Sequence, residues 1–195
     1  MINIPGYEVG EQLYRGANST IYKAKRIDDG KKVVLKLLND EHPGIEKLAS
    51  FRREYEITKR LSGDKIIRLY DLLNYKNTLL IVIEDFDGKS LAQELKNRNL
   101  KLIDKLLLAI DLTDALAQIH KNGIVHKDLN PYNIIWNSRT GQLKIVDFGI
   151  SAELSKEKQQ RSLVLEGTLP YISPEQTGKI NRNIDYRSDL YSLGI

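Results

Sequence analysis

The chain has 195 residues, of which 41% are hydrophobic and 29% are charged, a balance typical of a soluble globular protein with one core or two small lobes. Its 30 basic and 26 acidic residues leave a net charge of +4. Because basic residues are interleaved with acidic ones, as at 52–54 and 156–158, rather than clustered, we predict a solvated surface and no nucleic-acid partner. The absence of cysteine excludes disulfides, cysteine-zinc sites and thiol catalysis.

The sequence shows no targeting or membrane-spanning segment. Its first twenty residues contain Glu8 and Glu11 and lack the apolar region of a signal peptide. The longest apolar stretches, residues 79–83 and 106–110, are far too short to cross a bilayer. We therefore expect a cytoplasmic protein without a membrane span.

Residues 7–86 show a mostly strand-like pattern. Turn sequences occur at residues 28–30 and 75–77, and helical spacing of apolar residues interrupts the strands between Ile45 and Leu61. This region therefore predicts a small β-sheet with one helix.

Beyond this region the apolar spacing becomes helical. Leucine and isoleucine recur at steps of three and four from Leu91 to Ile119, and Gly123 is predicted to end the last helix. We predict an α+β fold of two lobes, with a small antiparallel sheet and one helix in residues 1–86 and a mainly helical lobe in residues 87–195.

Two later segments carry less regular signals. The polar stretch 153–162 predicts a flexible loop. The chain stops at Ile195, within an apolar helix that is predicted to begin near Asp189. A domain rarely ends inside a helix, so we expect an incomplete second lobe and further domains after it.

Three side chains able to hold a proton or a metal recur at fixed spacing in the second half of the chain. Asp128 and Asn133 lie in the run His-Lys-Asp-Leu-Asn-Pro-Tyr-Asn, and Asp147 begins Asp-Phe-Gly fourteen residues after Asn133. Strand-like segments adjoin these residues, so a hydrophobic scaffold can present all three at one edge. Oxygen ligands of this kind suit Mg²⁺ that is held together with substrate phosphates.

Lys36 and Glu54 are charged residues in apolar settings. Lys36 is the only polar residue of the strand-like segment 33–38, and Glu54 shares a helical face with Phe51 and Ile57. Breaking a buried ion pair costs about 3–5 kcal/mol, so mutual pairing is the favourable arrangement. The alternative is that Lys36 extends from an edge strand into solvent and Glu54 lies on the surface.

Together these residues resemble the eukaryotic-type protein kinases, whose catalytic loop reads His-Arg-Asp-Leu-x-x-x-Asn and whose metal loop reads Asp-Phe-Gly. The resemblance extends from Tyr7 to Ile195. It implies a bilobal kinase fold, ATP and Mg²⁺ as cofactors, and a protein substrate.

The resemblance also implies a role for each charged residue. Asp128 would be the catalytic base, and Asn133 and Asp147 would be the magnesium ligands. Lys36, paired with Glu54, would hold the α- and β-phosphates of ATP.

The phosphate-covering loop of the family, Gly-x-Gly-x-x-Gly-x-Val, corresponds to residues 14–21. Only Gly16 remains here, because Tyr14 and Ser19 replace the other two glycines. Glycine lets backbone N–H groups approach phosphate closely, so Tyr14 is expected to alter how the loop closes. Without the resemblance, the same stretch is equally consistent with a simple hairpin turn.

The resemblance further implies a nucleotide pocket. Ile21 and Val34 would line the adenine slot opposite Ile135, and Val34 is bulkier than the alanine usual in the family. The implied nucleotide-binding residues are Leu13, Gly16, Ile21, Val34, Lys36, Ile83, Glu84, Phe86 and Ile135.

The last part of the chain resembles a substrate-docking loop. Residues 167–175 end in Ser-Pro-Glu, similar to the Ala-Pro-Glu of the family, and Thr168 is typical of the serine/threonine branch. The run 173–178 resembles bacterial members that head large signalling proteins with an ATPase module, GAF and histidine-kinase domains. In the family, an arginine later in the second lobe pairs with the glutamate at position 175.

Two catalytic-loop residues depart from the family. Asn130, which with Thr168 would complete the catalytic set, replaces a lysine. Lys127 replaces an arginine and lacks the planar fork that grips a phosphorylated loop. We therefore do not expect control by loop phosphorylation, for which Ser155 and Ser162 are the candidate sites.

The predicted function is ATP-dependent phosphorylation of protein serine and threonine hydroxyls in signal transduction. A pseudokinase that acts as a regulatory ATP-binding or scaffold module is the alternative; the altered glycine loop and Asn130 favour it, and the full set of charged residues opposes it. A small-molecule kinase of the aminoglycoside or choline type shares the Asp-x-x-x-x-Asn pattern, but such enzymes differ after the metal aspartate.

Overall fold

A computed structural model describes residues 2–154, 166–180 and 182–195. The chain divides into two compact units, Met1–Lys59 with Ile67–Phe86 and Arg60–Ile66 with Asp87–Ile195. Most of the predicted loop 153–162, including the candidate sites Ser155 and Ser162, lies outside the described residues.

The first unit contains a five-stranded antiparallel sheet, as predicted. Its strands are β1 (Tyr7–Arg15), β2 (Ser19–Arg26), β3 (Lys32–Leu38), β4 (Leu69–Tyr75) and β5 (Thr78–Glu84), in the order β1-β2-β3-β5-β4. One helix, α1 (Ile45–Arg60), follows β3. The turn at residues 75–77 is present, with Lys76 in the left-handed conformation at φ +53°.

Alternation along β3 gives the sheet two different faces. Val33, Leu35 and Leu37 point to one face and join a buried cluster that includes Leu80 and Val82 of β5. Because successive side chains of a strand point to opposite faces, Lys36 lies on the other face. This alternation turns the Lys36 charge away from the apolar cluster.

The second unit contains helices and short strands. The helices are α2 (Leu91–Asn97), α3 (Leu102–Lys121) and α4 (Tyr186–Gly194), with a 3₁₀ turn at Leu169–Tyr171. The strands are β6 (Lys89–Ser90), β7 (Ile124–Val125), β8 (Ile134–Trp136), β9 (Leu143–Ile145) and β10 (Ala152–Glu153), which form the sheets β6-β8-β9 and β10-β7.

Residues 60–66 group with this second unit, although the sequence placed them with residues 1–86. The reason is a local backbone contact: Ile66 forms a parallel bridge with Ile145, whose N–H donates to the Lys65 carbonyl at 2.9 Å. The Lys65 ammonium also pairs with Asp111 and Asp114 of α3. Burial lowers the pKa of Lys65, but these two carboxylates more than offset it and leave the pKa raised.

The ends of two helices show how local sequence sets their bounds. Gly123 follows α3 at φ +69°, the left-handed conformation in which helices commonly end, as predicted. Helix α4 begins at Tyr186, before the predicted start near Asp189, because the Asp185 side chain caps it by accepting the Arg187 N–H at 2.9 Å. No helix in the described part of the chain is long and apolar enough to cross a membrane.

Replacing Asp185 with alanine should lower the free energy of unfolding by about 1 kcal/mol at neutral pH, because the first turn of α4 loses its cap. A hydrogen bond from the Arg187 side chain holds the pKa of Asp185 below its usual range, against a smaller opposing effect of burial. A lowered folded-state pKa stabilises the fold above the unfolded pKa, and this contribution is lost as pH falls through the folded value.

Urea unfolding of the wild type and Asp185→Ala at several pH values from 7 to 3 measures both effects. The deficit of Asp185→Ala should shrink below about pH 4, where the aspartate begins to protonate. Asp185→Asn is the matched control, since it keeps a capping acceptor and removes only the charge. A deficit of Asp185→Ala that does not change with pH would contradict the ionic contribution.

Candidate active site

Lys36 and Glu54 form a buried ion pair in the first unit. The Lys36 Nζ lies 2.6 Å from the Glu54 Oε1, and each residue is only 7% exposed. Glu54 shares the buried face of α1 with Phe51 and Ile57, which explains why it points inward. The alternative of a solvent-extended lysine and a surface glutamate is therefore wrong.

The sheet also groups several of the residues implied to bind nucleotide. Ile21 of β2 lies opposite Lys36, and Val34 lies opposite Ile83 of β5. Cross-strand partners project from the same face of a sheet, so these four side chains share the face that carries Lys36.

The other implied nucleotide residues have different settings. Glu84 is held by Arg68, whose N–H donates to its Oε1 at 2.6 Å, and Phe86 follows β5 at the end of the first unit. Leu13 is an exposed residue of β1. Ile135 belongs to β8 of the second unit, where it pairs with Ser90.

The altered glycine loop is the tip of the β1–β2 hairpin. Gly16 N–H donates to the Ser19 carbonyl at 2.9 Å and closes the turn. The Tyr14 ring lies against Gly16, so closely that a Cβ atom at position 16 would be 2.8 Å from the Tyr14 Cε1. A side chain at position 16 would therefore require the exposed Tyr14 ring to move.

Asp128 has a fixed carboxylate in the second unit. Its Oδ1 accepts the Thr168 N–H at 2.8 Å, and its Oδ2 accepts the Asn133 Nδ2 at 3.0 Å. A carboxylate offers about four acceptor positions, so these two bonds leave room for a further donor such as a hydroxyl group.

Asn130 connects the catalytic loop to the docking loop. It is only 3% exposed, and its Nδ2 donates to the Asp128 carbonyl and to the Thr168 Oγ1, both at 3.0 Å. Its Oδ1 accepts the Tyr132 N–H at 2.9 Å. The side chain therefore uses both ends of its amide within the loop.

Asn133 and Asp147 lie at the same end of the β8–β9 ladder. Ile134 pairs with Ile145, and the Val146 N–H donates to the Asn133 carbonyl at 3.0 Å, which places Asp147 next in line. Asp147 is exposed and has φ +63°, a left-handed conformation that is uncommon outside glycine and is enriched at functional sites.

These two residues fit a magnesium ion that arrives with a nucleotide. The Asn133 Nδ2 donates hydrogen bonds to the backbone carbonyl and to the carboxylate of Asp128. The Asn133 Oδ1 therefore points away from Asp128, on the other side of the amide group. In the described residues, no three Asp, Glu, His or Cys side chains form a metal-binding group. Mg²⁺ commonly uses one or two protein oxygens together with substrate phosphates, which suits this pair.

Asp189, which the sequence pattern predicts only as the start of a helix, holds the backbone at His126 and Lys127 in place. Its fully buried carboxylate accepts the N–H groups of His126 at 2.9 Å and Lys127 at 2.8 Å, and contacts His120 of α3 at 2.8 Å. The Lys127 backbone, which donates one of these N–H groups, has a left-handed conformation at φ +69°. The sequence signal for this role is an acidic residue inside a helix that is otherwise predicted to be apolar.

Gln176 is a second residue whose role the sequence pattern does not predict. Its Nε2 donates to the Lys127 carbonyl at 2.8 Å, and its Oε1 accepts the Ser173 hydroxyl at 3.0 Å. It therefore ties the docking loop to the catalytic loop. The neighbouring Glu175 accepts a hydrogen bond from the Ser188 hydroxyl at 2.5 Å.

The comparisons with known proteins agree with this arrangement. A probable serine/threonine-protein kinase of Streptomyces coelicolor is 34% identical over 96% of this chain and 29% of its own length. A probable serine/threonine-protein kinase of Clostridium acetobutylicum is 31% identical over 97% of this chain and 29% of its own length.

The serine/threonine-protein kinase PrkC of Bacillus subtilis is 30% identical, again over 97% of this chain and 29% of its own length. The chain thus spans less than a third of these relatives. The family model of the protein kinase domain matches residues 7–195, nearly the whole chain. The chain therefore belongs to the protein kinase domain family.

Proposed function

We propose that this chain transfers the γ-phosphoryl group of ATP to serine or threonine hydroxyls of protein substrates in signal transduction. The observation that carries the proposal is the Asp128 carboxylate, which Thr168 and Asn133 hold from two sides. Serine/threonine-protein kinases among the relatives support the same reaction class.

In this reaction Asp128 orients the substrate hydroxyl and accepts its proton. The hydroxyl oxygen then forms a bond to the γ-phosphorus as the bond to the β-phosphate oxygen of ATP breaks, which leaves ADP. The hydrogen bonds from Thr168 and Asn133 fix the direction of the carboxylate before the substrate arrives. Such positioning accounts for much of the catalysis of phosphoryl transfer.

Lys36 supplies positive charge for the α- and β-phosphates, and Glu54 holds its ammonium group at 2.6 Å. Asn133 and Asp147 are the proposed ligands for Mg²⁺, which when bound neutralises negative charge on the β- and γ-phosphates. Lys36 and Glu54 belong to the first unit, and Asn133 and Asp147 belong to the second.

A pseudokinase that binds ATP without transferring phosphate is the second candidate. Two observations favour it: the Tyr14 ring lies against Gly16, and Asn130 is neutral. The Asp128 carboxylate, held by Thr168 and Asn133, favours the enzyme, because a module that only binds ATP needs no oriented proton acceptor. We also propose a cytoplasmic location, and the greater length of the relatives supports further domains in the full-length protein.

The test uses the full-length protein with γ-labelled ATP and a generic protein substrate. We expect a thermal shift with ATP and Mg²⁺, and label transfer to serine or threonine that stops when EDTA removes the metal. A thermal shift without any transfer would support the pseudokinase. Transfer to small alcohols or aminoglycosides but not to protein would contradict the proposed substrate class.

A further inference from the structure

Asn39, the residue immediately after β3, contacts the whole tip of the β1–β2 hairpin. Its side-chain Nδ2 donates to the Gly16 carbonyl at 2.8 Å and to the Ala17 carbonyl at 3.3 Å. Its backbone N–H donates to the Asn18 carbonyl at 2.9 Å. One residue therefore engages three successive carbonyl groups of the tip.

The orientation of the Asn39 amide is determined by its partners. Carbonyl oxygens can only accept, so the NH₂ group must face the hairpin tip. The Oδ1 on the other side accepts the hydroxyl of Thr20, a buried residue of β2, at 2.5 Å. Thr20 and the two carbonyls thus fix the amide in one orientation.

These contacts also set the direction of the N–H groups at the tip. In a planar trans peptide the carbonyl and the following N–H point to opposite sides. Because the carbonyls of Gly16 and Ala17 point towards Asn39, the N–H groups of Ala17 and Asn18 point away from it. Successive N–H groups that project to the same side form a concave site for anions such as phosphate.

The glycine content of the tip affects how much order it needs from its neighbours. Glycine allows close approach of phosphate but loses more conformational freedom than other residues on becoming ordered. In this hairpin two of the three motif glycines are Tyr14 and Ser19. These two replacements lower the entropy lost on ordering the tip, and the hydrogen bonds from Asn39 order it further.

We infer that Asn39 is a positioning residue for nucleotide phosphates: it orders the β1–β2 tip so that the N–H groups of Ala17 and Asn18 face the phosphates of ATP. The inference rests on the proposed ATP binding. Asn39 acts through the backbone of the tip and does not itself touch the nucleotide.

The test measures the dissociation constants of ATP and adenosine by calorimetry for the full-length protein and its variants. Asn39→Ala should weaken ATP binding by about tenfold, equivalent to about 1.4 kcal/mol, and change adenosine binding by less than about twofold. Thr20→Val should give a smaller loss in the same direction, and Thr20→Ser should restore it. Asn77→Ala, at the turn between β4 and β5 of the same sheet, is the matched control and should leave both affinities unchanged.

Hydrogen exchange in the absence of nucleotide provides an independent measurement. The Gly16 N–H should exchange faster in Asn39→Ala, because the turn that it closes is no longer held. Unchanged ATP affinity in folded Asn39→Ala would overturn the inference alone. Equal losses for ATP and adenosine would show a general structural role, which also overturns it. If the wild type binds neither compound, the proposed function itself fails.

Discussion

Replacing Asp147 with asparagine should abolish measurable phosphoryl transfer while the protein stays folded. The substitution replaces the anionic oxygen of a proposed magnesium ligand with a neutral amide oxygen, which should remove several kcal/mol of transition-state stabilisation and lower the rate by about 10³-fold or more. Asparagine tolerates the left-handed φ of +63° better than alanine does, and the side chain is exposed. The measurements are initial rates of label transfer and the thermal unfolding midpoint.

Asp87→Asn is the matched control for this variant. Asp87 is also an exposed aspartate with positive φ, at +53°, and it forms a surface ion pair with Arg139. The same chemical change there should leave transfer within about twofold of wild type, because exposed pairs contribute little. Wild-type transfer by Asp147→Asn would contradict the proposed metal site.

Lys36→Met should also abolish transfer. The same substitution should destabilise the fold, and a second change in the buried pair separates the two effects. Removing the lysine leaves the Glu54 carboxylate buried without that partner, at a cost of up to about 3–5 kcal/mol. The double variant Lys36→Met with Glu54→Gln removes both charges. We expect it to recover much of the stability and none of the transfer, as measured by urea unfolding and label transfer.

That outcome would separate a catalytic role from a structural one. If Lys36 only stabilised the fold, the double variant would regain transfer together with stability. Activity in the double variant would therefore contradict the phosphate-binding role of Lys36.

The sequence predicted those parts of the site that depend on short-range patterns. Alternation along β3 isolates Lys36, helical spacing in α1 turns Glu54 inward, and the run from Asp128 to Asn133 fixes the catalytic loop. Each of these signals lies within one element or one loop, where the backbone period determines which side chains face together.

Other contacts could not be predicted because their partners are distant main-chain atoms. Asp189 accepts backbone N–H groups more than sixty positions earlier, and Gln176 donates to a carbonyl of the catalytic loop. Asn39 holds a hairpin through carbonyls that any residue would supply. The grouping of residues 60–66 with the second unit similarly depends on one bridge to β9. Main-chain partners leave no mark in residue type.

Asn130→Lys should raise kcat by about tenfold, and it tests a neutral position of the proposed catalytic set that is a lysine in the family. A lysine ammonium can replace the Asn130 Nδ2 as the donor to Thr168 and also bring positive charge towards the transferring phosphoryl group. That charge matters mainly in the transition state, so it should act on kcat more than on KM. Tenfold corresponds to about 1.4 kcal/mol of added transition-state stabilisation.

The substitution also has a predictable cost, which makes the result interpretable. Lysine cannot accept the Tyr132 N–H that Asn130 Oδ1 accepts at 2.9 Å, so we expect a loss of about 1 kcal/mol in the free energy of unfolding. Methionine is similar in length to lysine but has no charge and no hydrogen-bond donor. The kcat of Asn130→Met should therefore fall below wild type, because the bond to Thr168 is lost. If Asn130→Lys folds and binds ATP yet transfers no faster than Asn130→Met, charge at this position does not reach the phosphoryl group. Asn130 would then act only as the link between the catalytic and docking loops, through its bonds to Asp128 and Thr168.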